Sequence, residues 1–156
     1  MAIEEGKKPP MFTLPNQSGK KIALRELIGK DVILFFYPKD HTPGCTKEAS
    51  GFQALLPDIR KARRGVVVLG VSMDDADSHK KFRKDYGLRF DLLTDANHKV
   101  MEKYEAYGEK MMYGKTRIGV IRSTVWIGKD GKVAKHWRRV PKAADHPQKV
   151  LEALSA

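Results

Sequence analysis

Residues 32–48 read VILFFYPKDHTPGCTKE, and this stretch decides the fold. Its first six residues are a continuous run of apolar, β-branched and aromatic side chains, which is typical of a strand buried on both faces of a sheet. Pro38 ends the run. Thr42 is a good helix N-cap and Pro43 suits the first helical position, so a helix follows. The stretch therefore predicts a buried strand that leads through a short loop into a helix.

The apolar residues of this predicted helix are spaced by about one helical turn and form one stripe. They are Phe52, Leu55, Leu56 and Ile59. Pro57 lies inside the stripe, and we expect it to kink or interrupt the helix because proline lacks an N–H donor.

Hydrophobic patterning and turn residues place the other elements. We expect further strands at residues 12–14, 21–23, 66–71, 90–93, 123–127 and 133–140. We expect further helices at residues 24–28, 74–86, 99–104 and 147–154. Three glycines break residues 105–119, which we interpret as a loop. This order predicts an α/β fold with a mixed central sheet flanked by helices, preceded by a β-hairpin, in a single domain of residues 1–156.

Composition limits the classes of function. The chain has 156 residues, 41% apolar and 31% charged, as expected of a globular protein. No apolar run is long enough to cross a membrane and the N-terminus has no signal-like apolar segment, so we expect neither membrane insertion nor secretion. The net charge of +11 raises the alternative of a basic nucleic-acid-binding module, but the basic residues are scattered and we predict no nucleic-acid partner.

The single cysteine, Cys45, is the candidate nucleophile. A chain with one cysteine has no internal disulfide, which favours a reducing, cytoplasmic location. Counted from Thr42, Cys45 is the third helical residue, where the helix dipole favours a thiolate. It also faces inward, in line with Ala49 and Phe52. The alternative is a buried, inert cysteine, the commoner fate of a lone thiol.

Beyond these physical arguments, the chain resembles the peroxiredoxins, and within them the Q-type subfamily, also called bacterioferritin comigratory protein. The family pattern of Pro, three residues, Thr or Ser, two residues and Cys matches Pro38, Thr42 and Cys45. The resemblance covers roughly residues 8–154. It is carried by FFYPKDHTPGCTKEA, FTLPNQSGKKIAL, VVVLGVSMDD, FDLLTDANHKV and IRSTVWIGKDGKV.

The resemblance implies a thioredoxin-like fold with an N-terminal β-hairpin extension and a thiol-dependent peroxidase of antioxidant defence. Hydrogen peroxide and organic hydroperoxides would be reduced by Cys45, which becomes a sulfenic acid. The resemblance also implies an arginine beside the thiol, for which Arg122 is the matching position and Arg117 the weaker candidate. Thr42 would hydrogen-bond the peroxide or the thiolate, and Pro38 would shield the pocket from water.

Glu48 is open to two interpretations, as a buttress for Arg122 or for the loop, or only as a favourable acid in the first turn. We predict no cofactor, because the five histidines lack metal-ligand spacing and no phosphate-binding motif is present. A disulfide reductase is a further alternative that the absent Cys-x-x-Cys disfavours.

Ser50 occupies the place where many Q-type members carry a resolving cysteine. The expected partners are therefore the hydroperoxide and an external thiol reductant such as thioredoxin or glutaredoxin, and we expect a monomer, as is common in the subfamily. The sequence leaves open whether a one-cysteine enzyme is native or Ser50 replaces a cysteine. It also leaves open the preferred peroxide and the identity of the reductant.

Overall fold

The elements of the chain follow one another in the order that the sequence predicts, with one added hairpin. A computed structural model describes residues 3–156. Its elements are β1 (Thr13–Pro15), β2 (Lys21–Ala23), a 3-10 turn (Leu24–Leu27), β3 (Val32–Phe36), α1 (Pro43–Ala62), β4 (Val67–Ser72), α2 (Ala76–Tyr86), β5 (Asp91–Thr94), α3 (Lys99–Lys103), β6 (Tyr107–Met112), β7 (Lys115–Val120), β8 (Ser123–Ile127), β9 (Val133–Trp137) and α4 (His146–Ser155). Among these described residues, no helix is both long and apolar enough to span a membrane.

The central sheet has five strands in the order β5-β4-β3-β8-β9. Strands β3, β4 and β5 are parallel neighbours, whereas β8 is antiparallel to both β3 and β9. The sheet is therefore mixed, as predicted. The N-terminal hairpin is also present, since β1 and β2 pair antiparallel.

Strand β3 is buried on both faces, which explains its uninterrupted apolar run. Val32, Leu34 and Phe36 join a core formed with the N-terminal hairpin and α3. The alternate residues Ile33 and Phe35 join a second core formed with α1, α2 and α4. Each successive side chain of a strand points to the opposite face, so both faces must be apolar here. The prediction of helices flanking the sheet is confirmed.

Pro57 does not interrupt the helix, since α1 runs continuously from Pro43 to Ala62, so the predicted interruption is wrong. Pro57 is exposed, while Phe52, Leu56 and Ile59 on the other side are buried. Proline has no N–H to donate to the carbonyl oxygen of Gln53, four residues earlier, and this oxygen can be hydrated on the outer face. The buried apolar residues before and after Pro57 in the sequence then stabilise the helix.

The loop interpretation of residues 105–119 is also wrong, because β6 and β7 form an antiparallel hairpin in this region. Tyr113 and Gly114 make its turn, both with positive φ (52° and 77°), as a two-residue hairpin turn requires. Gly108 and Gly119 lie opposite each other in the two strands and do not interrupt the pairing. The other predicted elements are confirmed to within about three residues at their ends.

A buried polar cluster ties the loop after β3 to helix α2. The carboxylate of Asp40 accepts hydrogen bonds from Tyr37 Oη (2.6 Å) and Ser78 Oγ (2.8 Å) and lies 2.7 Å from His79 Nδ1. The backbone N–H of Asp40 donates to Asp74 Oδ2 (2.8 Å). Burial by itself would raise the pKa of Asp40, but the hydrogen bonds from His79 and Tyr37 outweigh burial and hold this pKa below its usual value. The cluster therefore fixes the loop that carries Pro38 and Thr42.

Replacing Asp40 with Ala should lower the free energy of unfolding at neutral pH by about 3–5 kcal/mol, the usual cost of removing one partner from a buried pair. A carboxyl whose pKa is lowered by folding stabilises the protein above its unfolded-state pKa, and this stabilisation is lost as the pH falls through the folded-state value. The wild-type and Asp40→Ala proteins should therefore become more alike in acid. Urea unfolding at pH 7 and about pH 3 measures the difference.

Glu4→Ala is the matched control, because Glu4 pairs with Lys7 (3.1 Å) at the surface and contacts no residue of the Asp40 cluster. It should change stability little. An equal loss of stability in the two variants would contradict the role given to the Asp40 cluster.

Candidate active site

Cys45 lies in the first turn of α1, directly beyond the carboxyl end of β3. The helix begins at Pro43 with Thr42 as its N-cap, and Cys45 is its third residue. The side chain is 1% exposed and packs in the second core beside Ala49 and Phe52. This position places the residue among the free N–H groups of the first turn, at the positive end of the helix dipole.

Arg122 contacts the thiol of Cys45. Its Nη2 donates to Cys45 Sγ at 3.2 Å. The strand register explains the contact, because Phe36, at the end of β3, pairs with Ser123, the first residue of β8. Arg122 directly precedes Ser123 and so lies beside the loop that begins α1. Burial alone would lower the pKa of Arg122, but Glu48 and Cys45 raise it, so the guanidinium is firmly charged.

Glu48 holds the other side of the same guanidinium. Arg122 Nη1 donates to Glu48 Oε1 at 2.7 Å, and Glu48 is completely buried one helical turn after Cys45. Of the two interpretations of Glu48, the contact with Arg122 is the one that the structure contains. The second carboxylate oxygen, Oε2, has no hydrogen-bond partner among residues 3–156. Burial raises the pKa of Glu48 to about 7 in spite of the opposing effect of Arg122.

The hydroxyl of Thr42 points back into its own loop. Thr42 has the extended backbone of an N-cap, but its side chain makes no capping hydrogen bond. Instead, Oγ1 donates to the carbonyl oxygen of Lys39 at 2.8 Å. In this structure the hydroxyl hydrogen is therefore engaged within the loop, and only the oxygen lone pairs remain available to another group.

Pro38 lines the opening that leads to Arg122. A cavity of about 210 Å³ lies between the loop after β3, the segment before β8 and the chain after β9. Its lining residues are Pro38, Lys110, Val120, Ile121, Arg122, Arg139 and Val140. Pro38, Thr42, Cys45 and Arg122 thus lie at one end of the sheet, whereas Arg117 is exposed on β7 opposite Lys110.

Two further residues lie close to the site and were not predicted from the sequence. A side chain at Gly44 would place its Cβ 3.2 Å from Arg122 Nη2, so glycine at this position gives the guanidinium room beside α1. His146, at the start of α4, is buried with Nε2 2.8 Å from Thr124 Oγ1. Burial, together with Lys149 and Arg122, lowers the pKa of His146 to about 4 and keeps the ring neutral. The glycine in the Thr-Pro-Gly-Cys sequence was the available signal for Gly44, whereas nothing local marks His146.

A possible metal-binding group near the site is already engaged in hydrogen bonds. Asp40, Asp74 and His79 place one potential ligand atom each within 4.8 Å of one another. Asp40 Oδ2 accepts from Ser78 Oγ, and Asp74 Oδ2 accepts from Ser72 Oγ at 2.6 Å. These contacts account for the cluster as a structural network of the loop.

Comparisons with known proteins agree on one family. Residues 6–136 match the model of the AhpC/TSA family. The chain is 47% identical over 152 residues to a putative peroxiredoxin bcp of Helicobacter pylori strain J99, covering 97% of this chain and 98% of that protein. It is 40% identical over 154 residues to peroxiredoxin Bcp of Bacillus subtilis, covering 99% and 96%.

Solved structures give the same result. A structure of Xanthomonas campestris peroxiredoxin Q superposes with a TM-score of 0.83 at 40% identity, covering 92% of this chain and 89% of that one. A study of alkyl peroxide reduction by the bacterioferritin comigratory protein of the same species provides another, with a TM-score of 0.86 at 37% identity and 97% coverage of each chain. The expectation of a thioredoxin-like fold is confirmed.

The raised pKa of Glu48 predicts an unusual pH dependence of stability. A carboxyl whose pKa is higher in the folded than in the unfolded state binds more protons when folded, so its favourable contribution is complete in acid and is lost as the pH rises through about 7. From about pH 5 to pH 8, the free energy of unfolding of the wild-type protein should therefore fall by about 2–3 kcal/mol relative to Glu48→Gln.

Urea unfolding at the two pH values gives the change in the free energy of unfolding for each protein, and these two changes are then compared. Glu152→Gln, on the exposed side of α4, is the matched control and should follow the wild-type protein. A Glu48→Gln protein that shows the wild-type pH dependence would mean that Glu48 is already ionised in acid.

Proposed function

This chain belongs to the AhpC/TSA family and is a peroxiredoxin, a thiol-dependent peroxidase, and on that basis we propose that Cys45 is the residue that attacks the peroxide. Cys45 is the only cysteine of the chain. The observation that carries the proposal is the 3.2 Å contact between its sulfur and the guanidinium of Arg122. A fixed cation at this distance favours the ionised, nucleophilic form of a thiol.

In the proposed reaction, the thiolate of Cys45 attacks one oxygen of the hydroperoxide. The S–O bond forms as the O–O bond breaks, the sulfur is oxidised by two electrons and the peroxide is reduced. The departing oxygen takes up a proton and leaves as an alcohol or as water, and a sulfenic acid remains: Cys–S⁻ + ROOH + H⁺ → Cys–SOH + ROH. Negative charge moves from sulfur to the departing oxygen during this step.

Arg122 is placed to stabilise that charge throughout the step. One arm of its guanidinium faces the sulfur and the other is held by Glu48, so the group needs little reorganisation while the charge moves. The Cys45 N–H is a second candidate donor to the peroxide. We assign to Thr42 a polar contact with the peroxide or thiolate, which requires its hydroxyl to leave Lys39, and to Pro38 the exclusion of water from the opening.

The sulfenic acid has to be reduced by a thiol from outside the chain. Ser50 lies in the same continuous helix as Cys45, and a serine cannot form a disulfide. We propose an external reductant such as thioredoxin or glutaredoxin, with the protein acting as a single-domain cytoplasmic monomer on hydrogen peroxide and organic hydroperoxides. Two thiols complete the cycle: the first gives a mixed disulfide and water, and the second releases Cys45.

Cys45→Ser should abolish peroxide consumption, because no other residue of the chain can form a sulfenic acid. The assay follows hydrogen peroxide in the presence of a reducing thiol. Ser50→Ala, five residues along the same helix, is the matched control and should keep its activity. Substantial peroxide turnover by Cys45→Ser would remove Cys45 from the role of nucleophile.

Arg122→Ala should slow oxidation of Cys45 by hydrogen peroxide by about 10²–10³-fold, the usual cost of losing one preorganised donor. Arg122→Lys should be intermediate, since it keeps the charge but cannot bridge Cys45 and Glu48 with a planar fork. The measurement is the second-order rate of thiol loss under single-turnover conditions. Arg117→Ala removes an exposed arginine and should react at the wild-type rate; a slow Arg117→Ala with a normal Arg122→Ala would reverse the assignment.

A further inference from the structure

The opening that leads to Arg122, whose guanidinium contacts Cys45, is lined by two further cations. Lys110 reaches it from β6 and Arg139 from the chain after β9, and both line the 210 Å³ cavity. Lys110 Nζ donates to the carbonyl oxygen of Val120 at 2.8 Å, and Arg139 Nη2 donates to that of Glu109 at 3.5 Å. Within residues 3–156, neither cation lies within 4.0 Å of a carboxylate oxygen. The positive charges of Lys110 and Arg139 are therefore not neutralised by an ion pair.

The same two cations also line a second cavity. It has a volume of about 490 Å³ and lies along the β6–β7 hairpin, where Glu109, Met111 and Thr116 complete its walls. Because Lys110 and Arg139 belong to both cavities, they stand between Arg122 and the outer groove of the hairpin. A ligand that extends out of the site must pass between or beside them.

The surroundings of Lys110 favour an anion. The side chain is half-buried, and its pKa is lowered first by burial and then by the positive charge of Arg122. A bound anionic group would relieve that repulsion, and a guanidinium next to an ammonium offers it several donors. Glu109 lies beside the two cations and adds one negative charge to the groove, which suits a singly charged ligand better than a doubly charged one.

We propose that Lys110 and Arg139 form a recognition site for the carboxylate of a ligand whose reactive end reaches Cys45. The inference rests on the proposed function of Cys45 and adds a ligand class to it. Two kinds of ligand share this chemistry: a hydroperoxide that carries a carboxylate, and a small reducing thiol that carries one. A small thiol fits the structure because Cys45 is buried at the start of an intact helix.

The thiol version of the reaction balances without another reactant. The sulfur of the thiol attacks the sulfur of the sulfenic acid, an S–S bond forms, the S–O bond breaks, and the hydroxyl leaves as water after taking up the thiol proton. A second thiol then attacks the mixed disulfide and releases Cys45 in its reduced form. In the hydroperoxide version, the carboxylate only anchors the molecule that is reduced in the first step.

The first test uses two alkylating agents that differ mainly in charge, iodoacetate and iodoacetamide. Because the chain has one cysteine, loss of its free thiol reports on Cys45 alone. The measured quantity is the rate of alkylation by iodoacetate divided by the rate of alkylation by iodoacetamide. This ratio should fall by roughly 2- to 5-fold in Lys110→Gln and in Arg139→Gln, the size of an exposed ion-pair effect. High salt should reduce the same ratio in the wild-type protein.

Lys129→Gln, in the exposed turn after β8, makes the same change in net charge far from the site and should keep the wild-type ratio. Lys110→Arg should restore the ratio that Lys110→Gln loses. If the ratio is unchanged in Lys110→Gln and Arg139→Gln, or falls equally in Lys129→Gln, the recognition site does not exist. This test needs no peroxidase activity, so its result is separate from that of the proposed function.

The second test distinguishes the two kinds of ligand. One arm compares oxidation of Cys45 by a tertiary alkyl hydroperoxide bearing a free carboxylate with oxidation by its methyl ester, with hydrogen peroxide as reference. The other arm compares reduction of the sulfenic acid by mercaptoacetate and by its methyl ester. In each arm, the rate with the acid is divided by the rate with the ester. The ratio for Lys110→Gln is then divided by the ratio for the wild-type protein, so the difference in intrinsic reactivity between acid and ester cancels.

A loss of preference in one arm assigns the site to that ligand, and a loss in both assigns it to both. Unchanged ratios in both arms overturn the ligand class. A wild-type protein that hydrogen peroxide does not oxidise would instead refute the proposed function, and the assignment of the ligand would fail with it.

Discussion

One guanidinium holds the site together. Arg122 lies between the sulfur of Cys45 and the carboxylate of Glu48, at 3.2 Å and 2.7 Å. Its position depends on the antiparallel register of β3 and β8, which brings the residue before Ser123 to the end of β3. The start of α1 is fixed separately by the Asp40 cluster. The geometry at the sulfur is therefore set by two elements buried in the core, and little of it depends on the mobility of surface side chains.

Arg122 carries one positive charge but contacts two groups that can each become negative, Cys45 and Glu48. A thiolate at Cys45 and an ionised Glu48 would place two negative charges against one guanidinium in a region screened from water. Each anion therefore reduces the stabilisation that Arg122 gives to the other anion. Burial adds to the free-energy cost of ionising Glu48, whose pKa is raised to about 7. Near neutral pH the carboxyl therefore holds a proton more readily than an exposed glutamate does. A Glu48 that keeps its proton leaves more of the positive charge of Arg122 for the thiolate, while its oxygen still orients the guanidinium.

The sequence predicts the parts of the fold that depend on local patterns and on burial. Strand β3 was recognisable because both of its faces are apolar, and the start of α1 because Thr42 and Pro43 are typical helix-initiating residues. The hairpin of β6 and β7 was missed because its side chains are mostly exposed, so it shows no alternation of apolar and polar residues. The interruption predicted at Pro57 does not occur because α1 is stabilised by burial of its opposite face, which is a tertiary effect.

The site was predictable only in part, for the same reason. The position of Cys45 in a helical first turn follows from its neighbours, but the choice of Arg122 over Arg117 came from resemblance to a family. Spacing along the chain cannot identify it, because the contact between Arg122 and Cys45 joins residues 77 positions apart. The closeness of Gly44 to Arg122 and of His146 to Thr124 depends on packing between elements that are distant in the sequence.

The β6–β7 hairpin also carries Lys110, one of the two cations that line the opening besides Arg122. The exposure of its side chains, which hid the hairpin from the sequence analysis, also separates their charges from the packing of the core. A strand that packs into the core has its side chains fixed by the fold, so a change there disturbs the geometry of Arg122. Most side chains of β6 and β7 instead face solvent, and the charges there can vary without altering the core. The buried elements hold the sulfur of Cys45 and the guanidinium of Arg122 in place, whereas the exposed hairpin and Arg139 carry charges at the opening that can change without moving either group.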